Sequence, residues 1–194
     1  MAQLKRLFLL CLLLVAVGAG RPAFADNPRV QMRTNFGSFV VELYPDKAPD
    51  TVRNFLLYLR EGFYDGTLFH RLLPGNLLQA GGYGLDMSPK EVGAPIENEG
   101  KNGLKNLAGT VAMAHGGDPH SATTQFIINL ADNPQFDYSE SPAPDWGNCV
   151  FGRVVEGMDT IRRMAAVPIL SGGDFIGDVP SRPIVLEEAR LLNE

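Results

Sequence analysis

From residue 30 onward the chain breaks its apolar content into short runs, each closed off by Gly, Pro or Asn, and this punctuation constrains the fold more than anything else in the sequence. Runs at 68–72, 77–80, 110–114, 126–130 and 149–155 have strand length. Residues 30–34 and 38–43 carry alternating apolar side chains on either side of Asn35-Phe36-Gly37, which reads as a hairpin. Only two segments keep a helical period. In the first, Pro49 suits an opening turn, Val52, Phe55, Leu56 and Leu59 share a face, and Gly62 follows the end. The second covers 158–165, with Met158, Ile161, Met164 and Ala165 inward. Residues 184–192 are placed to close the sheet. Many short strands with two helices predict a mainly-β, antiparallel barrel rather than a parallel sheet.

The first 25 residues stand outside that pattern. Lys5 and Arg6 precede an uncharged run over 7–20, and Ala23-Phe24-Ala25 has the small-x-small form of a secretory cleavage site. The run is shorter than the roughly 18 residues of a spanning helix. A signal peptide over 1–25 and one domain over 26–194 are therefore expected, the 169 remaining residues sufficing for a single core. Cleavage removes three cations and no acid, moving the formal charge from −5 to −8. Nucleic acid is not an expected partner, nor is a membrane after signal cleavage. Only Cys149 survives cleavage, so no intrachain disulfide can form, and its apolar neighbours predict burial.

Within 69–82 an arginine and a glutamine, Arg71 and Gln79, sit on two apolar runs joined by Pro74-Gly75. A Pro-Gly pair reverses the chain, so the runs pair antiparallel and both polar groups can face one surface. His70, next to Arg71, then points to the other side. The polar stretch 131–148, with Pro134, Pro142 and Pro144, reads as an exposed loop, and Trp146 either as its anchor or as a side chain folded back over the binding surface.

Phe69-His70-Arg71, Pro74-Gly75 and Gln79-Ala80-Gly81-Gly82 together resemble the signature of the cyclophilins, the peptidyl-prolyl cis/trans isomerases. Further similarity lies in Gly109 to Ala114, in Ser121 to Asn129 around Gln125-Phe126, in Val150 to Asp159, and in Asn54-Phe55 and Gly62 to Thr67. Several motifs in family order make the resemblance specific over about residues 30–192. It implies a closed eight-stranded antiparallel β-barrel capped by two helices. It also implies a cofactor-free, metal-free isomerase acting as a monomer on X-Pro bonds of unfolded or partly folded proteins. With the leader, it implies a periplasmic bacterial address.

By the same resemblance Arg71 is the catalytic donor, Gln79 orients it and Gln125 holds substrate backbone. Phe69, His70, Leu77, Met113, Ala114, Ile127, Phe136 and Asn148 complete the expected substrate-binding set. The match thins where proline would sit. Asn76 stands where the family has Phe, Ile127 where it has a second Phe, and Gln135 where it has Trp or Phe; Asn148 replaces His or Tyr. A slow or selective isomerase with weak cyclosporin binding is the expectation, and a proline-peptide-binding, chaperone-like module with little catalysis is the alternative. A hydrolase lacks support: there is no Gly-x-Ser-x-Gly elbow, His-Glu-x-x-His or Cys-x-x-Cys. His115 and His120 have no third ligand at metal spacing and read as a solvated loop pair.

Overall fold

The computed structural model describes residues 26–140, 145–172 and 175–193, so the expected leader and part of the 131–148 loop lie outside it. The opening hairpin pairs β1 (Arg29–Thr34) with β2 (Gly37–Leu43) in register from Arg29↔Glu42 to Thr34↔Gly37. Helix α1 (Pro49–Arg60) follows, then β3 (Thr67–Leu68), β4 (Arg71–Leu73), β5 (Leu77–Ala80), β6 (Thr110–Met113), β7 (Phe126–Asn129) and β8 (Cys149–Glu156). Helix α2 (Met158–Ala165), β9 (Ile169–Gly172), β10 (Phe175–Pro180) and β11 (Val185–Leu191) complete the chain.

Nine strands form one antiparallel sheet in the order β3-β11-β1-β2-β8-β6-β7-β5-β4. Laid flat it would be about 40 Å wide at roughly 4.8 Å per strand. Its two edge strands, β3 and β4, are separated only by Phe69 and His70. Three residue steps reach at most about 11 Å. The sheet must therefore curl until its edges meet. The mainly-β, two-helix barrel architecture stands, and among the described residues its sheet counts nine strands, with the short β3 and β4 as its two edges. Among the described residues no ladder joins β3 to β4, and the covalent chain makes that junction.

Inside the curl lies the main core. Phe55 of α1 packs against Tyr64, Phe126 and Phe151, with ring centroids 4.9, 5.8 and 5.2 Å apart, plugging one end. Burying such rings stabilises by about 1.5–3 kcal/mol each. Ala48 offers no side chain to cap α1, and Glu99 does so from afar, accepting from the backbone N–H groups of Asp50 at 3.1 Å and Thr51 at 2.8 Å. Ile161 and Met164 bury the inner face of α2. The β9–β10 hairpin was not anticipated, since 169–180 mixes Gly and Asp into its apolar residues.

Outside the curl, four asparagines form a chain of amides. Asn76 Nδ2 donates to Asn133 Oδ1, Asn133 Nδ2 to Asn129 Oδ1 at 2.8 Å, and Asn129 Nδ2 to Asn106 Oδ1 at 3.1 Å and Thr110 Oγ1 at 2.9 Å. Asn106 Nδ2 in turn donates to the Phe136 carbonyl at 2.8 Å. The stretch around Pro134–Phe136 is thereby tied to β7 and to Asn76 just before β5, while Pro134 and Gln135 stay exposed as expected of a loop. Asn129 is fully buried and serves three of these bonds. Asn129→Ala should cost about 3 kcal/mol in urea denaturation by orphaning its partners, whereas exposed Gln135→Ala should stay within about 0.5 kcal/mol.

Candidate active site

Side chains alternate across a strand, so each strand of the curled sheet has a core face and an outer face. Leu72, Leu78, Phe126, Ile128, Val111 and Met113 point into the core. On the outer face the ladders align Arg71 with Gln79, Gln79 with Ile127, Ile127 with Ala112 and Ala112 with Val150. One transverse row thus runs from a guanidinium through an amide to an apolar surface. Arg71 and Ile127 are two strands apart, about 10 Å at ordinary strand spacing.

The polar end of this row is a relay. Arg71 Nη1 donates to Gln79 Oε1 at 3.4 Å, and Gln79 Nε2 donates to Gln125 Oε1 at 2.7 Å. Arg71 Nε donates to Asp178 Oδ2 at 3.0 Å. Gly82 makes room for the relay, since a Cβ there would lie 2.7 Å from the Gln125 side chain. A recess beside it is lined by Gln79, Ala114, His115, Gly116, Ser121, Thr123 and Gln125. His115 Nε2 lies 2.8 Å from the Gly147 carbonyl and His120 Nδ1 accepts from the Asn98 N–H at 3.1 Å, so both histidines tie loops together rather than sitting free in solvent.

At the apolar end Leu77, Ala112, Ile127 and Val150 form a second cluster, joined by Leu73, Leu104, Ala114 and Phe136. Asn148 borders it, its N–H donating to the Phe136 carbonyl at 2.8 Å. Leu77, Ala114, Ile127 and Phe136 therefore meet as expected. Met113 does not: it lies on the core face, because the side-chain period of two puts Ala112 and Ala114 outside. Phe69 is likewise in the core, 6.2 Å edge-on to Phe126. Asn76 and Gln135 both turn to Asn133, Gln135 at 3.1 Å, so neither replaces the missing aromatic surface. Trp146 packs on His120 and Tyr138, at 5.0 and 5.5 Å, as a loop anchor. Leu73, Ala112 and Val150 were not singled out from the sequence, although each lies two positions from a residue that was, Arg71, Ala114 and Asn148. Asp178 had no such signal.

A guanidinium thus lies beside an apolar patch on the outside of a curled antiparallel sheet. Comparison with known proteins gives the class. Residues 29–191 match the family model described as "Cyclophilin type peptidyl-prolyl cis-trans isomerase/CLD". The chain is 46% identical over 158 residues to peptidyl-prolyl cis-trans isomerase B of Escherichia coli K12, covering 81% of this chain and 96% of that protein. It is 39% identical over 192 residues to peptidyl-prolyl cis-trans isomerase A of Dickeya dadantii, covering 98% and 99%. A cyclophilin-type isomerase structure from Cryptosporidium parvum superposes with a TM-score of 0.71 at 22% identity, over 87% of this chain and 99% of that one, and shares the fold. This chain belongs to the cyclophilin-type peptidyl-prolyl cis-trans isomerases.

His70, expected on the face opposite Arg71, reaches the relay through a hydrogen bond with the Gln125 side chain. It is buried at 2% exposure with its ring centroid 4.5 Å from that of Tyr83. Burial pulls its pKa down to about 4, and the Arg71 charge adds to that, while hydrogen bonds with Leu68 and Gln125 oppose it. The imidazole is thus neutral at pH 7. The unfolded chain takes up this proton near 6.5 and the folded one near 4, so stability is complete above about 6.5 and drains away as pH falls to about 4. The loss should reach about 3 kcal/mol, and His70→Asn should flatten that slope in denaturation at stepped pH. A folded-state His70 titrating near 6.5 by NMR would contradict this.

Proposed function

We propose that this isomerase works by donating a hydrogen bond from Arg71 to the prolyl nitrogen, with the proline ring on the patch of Leu77, Ile127 and Phe136. The transverse row linking Arg71, Gln79 and Ile127 carries this reading. An X-Pro bond rotates over a barrier of about 18–20 kcal/mol because the nitrogen lone pair is shared with the carbonyl. As the bond twists, the lone pair localises on nitrogen, which becomes an acceptor. A donor aimed there stabilises the twisted state over either planar one.

A turnover on the order of 10–10³ s⁻¹ requires about 3–7 kcal/mol off the barrier, of which one aimed donor supplies about 3–4. Holding the ring and the flanking backbone supplies the remainder, with Ala114 and Gln125 placed to contact that backbone. Arginine suits the donor because it stays charged and its fork is rigid. The patch is poorer in aromatics than the family pattern, which weakens the hold on proline by about 1–3 kcal/mol. The reading is thus a slow or selective enzyme with weak affinity for cyclosporin-like macrocycles.

We place its substrates among unfolded or partly folded exported proteins. Support comes from the basic, apolar, small-x-small opening of the chain, and the Dickeya dadantii relative aligns over 98% of it, into that opening. Arg71→Ala should lower kcat/KM about 10²–10³-fold on an Ala-Pro peptide followed by NMR exchange, and Arg71→Lys should restore little. Undiminished exchange in Arg71→Ala would refute the donor role. Peptide binding without turnover by wild type would favour the chaperone-like alternative. Gln135→Trp, at an exposed position, should tighten cyclosporin binding about tenfold by titration calorimetry.

A further inference from the structure

The β9–β10 hairpin lies outside the nine-stranded sheet and runs alongside β4, the strand that carries Arg71. Its ladder is regular where Val179 faces Leu170 and Pro180 faces Ile169, and the Ser181 N–H donates to the Pro168 carbonyl at 2.7 Å. Between Phe175 and Val179 the register shifts. Such irregularities re-aim side chains. Asp178 lies in this interval, and its carboxylate meets Arg71 Nε at 3.0 Å with the two side chains 23% and 36% exposed.

Two guanidinium nitrogens are therefore held from two different elements, Nε by Asp178 of β10 and Nη1 by Gln79 of β5. Among the described residues Nη2 has no protein partner. A free arginine side chain carries about 2 kcal/mol of rotamer entropy, and a donor that wanders by about 1 Å loses much of its effect. Gln79 alone, at 3.4 Å, is a long bond and leaves the plane loosely defined. The carboxylate supplies the stronger, charge-assisted hold.

We infer that Asp178 is a positioning residue for the isomerisation: it fixes the plane of the Arg71 guanidinium so that Nη2 is left to the substrate. The hairpin, which the sheet does not need for closure, thereby takes part in setting the rate. This rests on Arg71 being the donor. The opposite role, a carboxylate that competes with substrate for the guanidinium, predicts effects of opposite sign.

Line-shape NMR on an Ala-Pro peptide separates the on-enzyme exchange rate from affinity. Asp178→Ala should lower kcat about tenfold with KM within about twofold. Asp178→Asn keeps the shape and one acceptor oxygen and should recover part of that loss. In an Arg71→Ala background, Asp178→Ala should have no further effect. The ¹⁵Nε–H resonance of Arg71, sharp in wild type, should broaden or shift in Asp178→Ala. A kcat unchanged or raised in both Asp178 variants, or an equal loss in the Arg71→Ala background, would overturn this inference while leaving Arg71 in place. Full activity in Arg71→Ala would overturn the donor role and this inference together.

Discussion

Register across β4, β5, β7 and β6 governs everything that the groove does. Arg71, Gln79, Ile127 and Ala112 share a surface only because each strand is paired in one alignment out of two parities. A slip of one residue in β4 would send Arg71 into the aromatic core and bring Leu72 out. The alignment is enforced from behind: Leu72, Leu78 and Phe126 fill the core on the opposite face, so the hydrophobic interior and the polar row are two readings of the same ladder.

The curl adds a second constraint. Because Phe69 and His70 alone span from one edge of the sheet to the other, Arg71 begins an edge strand at the seam. An edge strand leaves one flank open to another element, and β10 uses it, bringing a carboxylate to a cation that the main sheet meets with the Gln79 amide. On the other side of the groove the asparagine chain from Asn76 to Asn106 holds the Phe136 segment in place. Buried amides with all their partners satisfied give that wall rigidity without aromatic bulk.

Much of this was legible in the order of residues. Helix α2 falls on 158–165 as its periodicity indicates, and the Pro74-Gly75 turn puts Arg71 opposite Gln79. Local signals sufficed there because turn chemistry and side-chain period act over a few residues. Met113 shows where they were misapplied: the motif Met113-Ala114 suggested a joint contact, but adjacent strand residues face opposite ways, so only Ala114 reaches the groove. Glu99 capping α1 had no local signal, since Ala48 shows only that a cap is lacking.

What the chain alone settled is which residues alternate and which turns reverse it, because these depend on neighbours within about ten positions, and which family it resembles, because several such local motifs recur in one order. The fold decided where distant polar groups end up: Asp178 on Arg71 across 107 positions, Asn133 on Asn76 across 57, Glu99 on the start of α1 across 48 and 49. Such pairings follow from curl and packing, which sum small preferences over the whole sheet. No window of sequence holds that sum, and so the guanidinium could be recognised from its motif while the carboxylate that holds it could not.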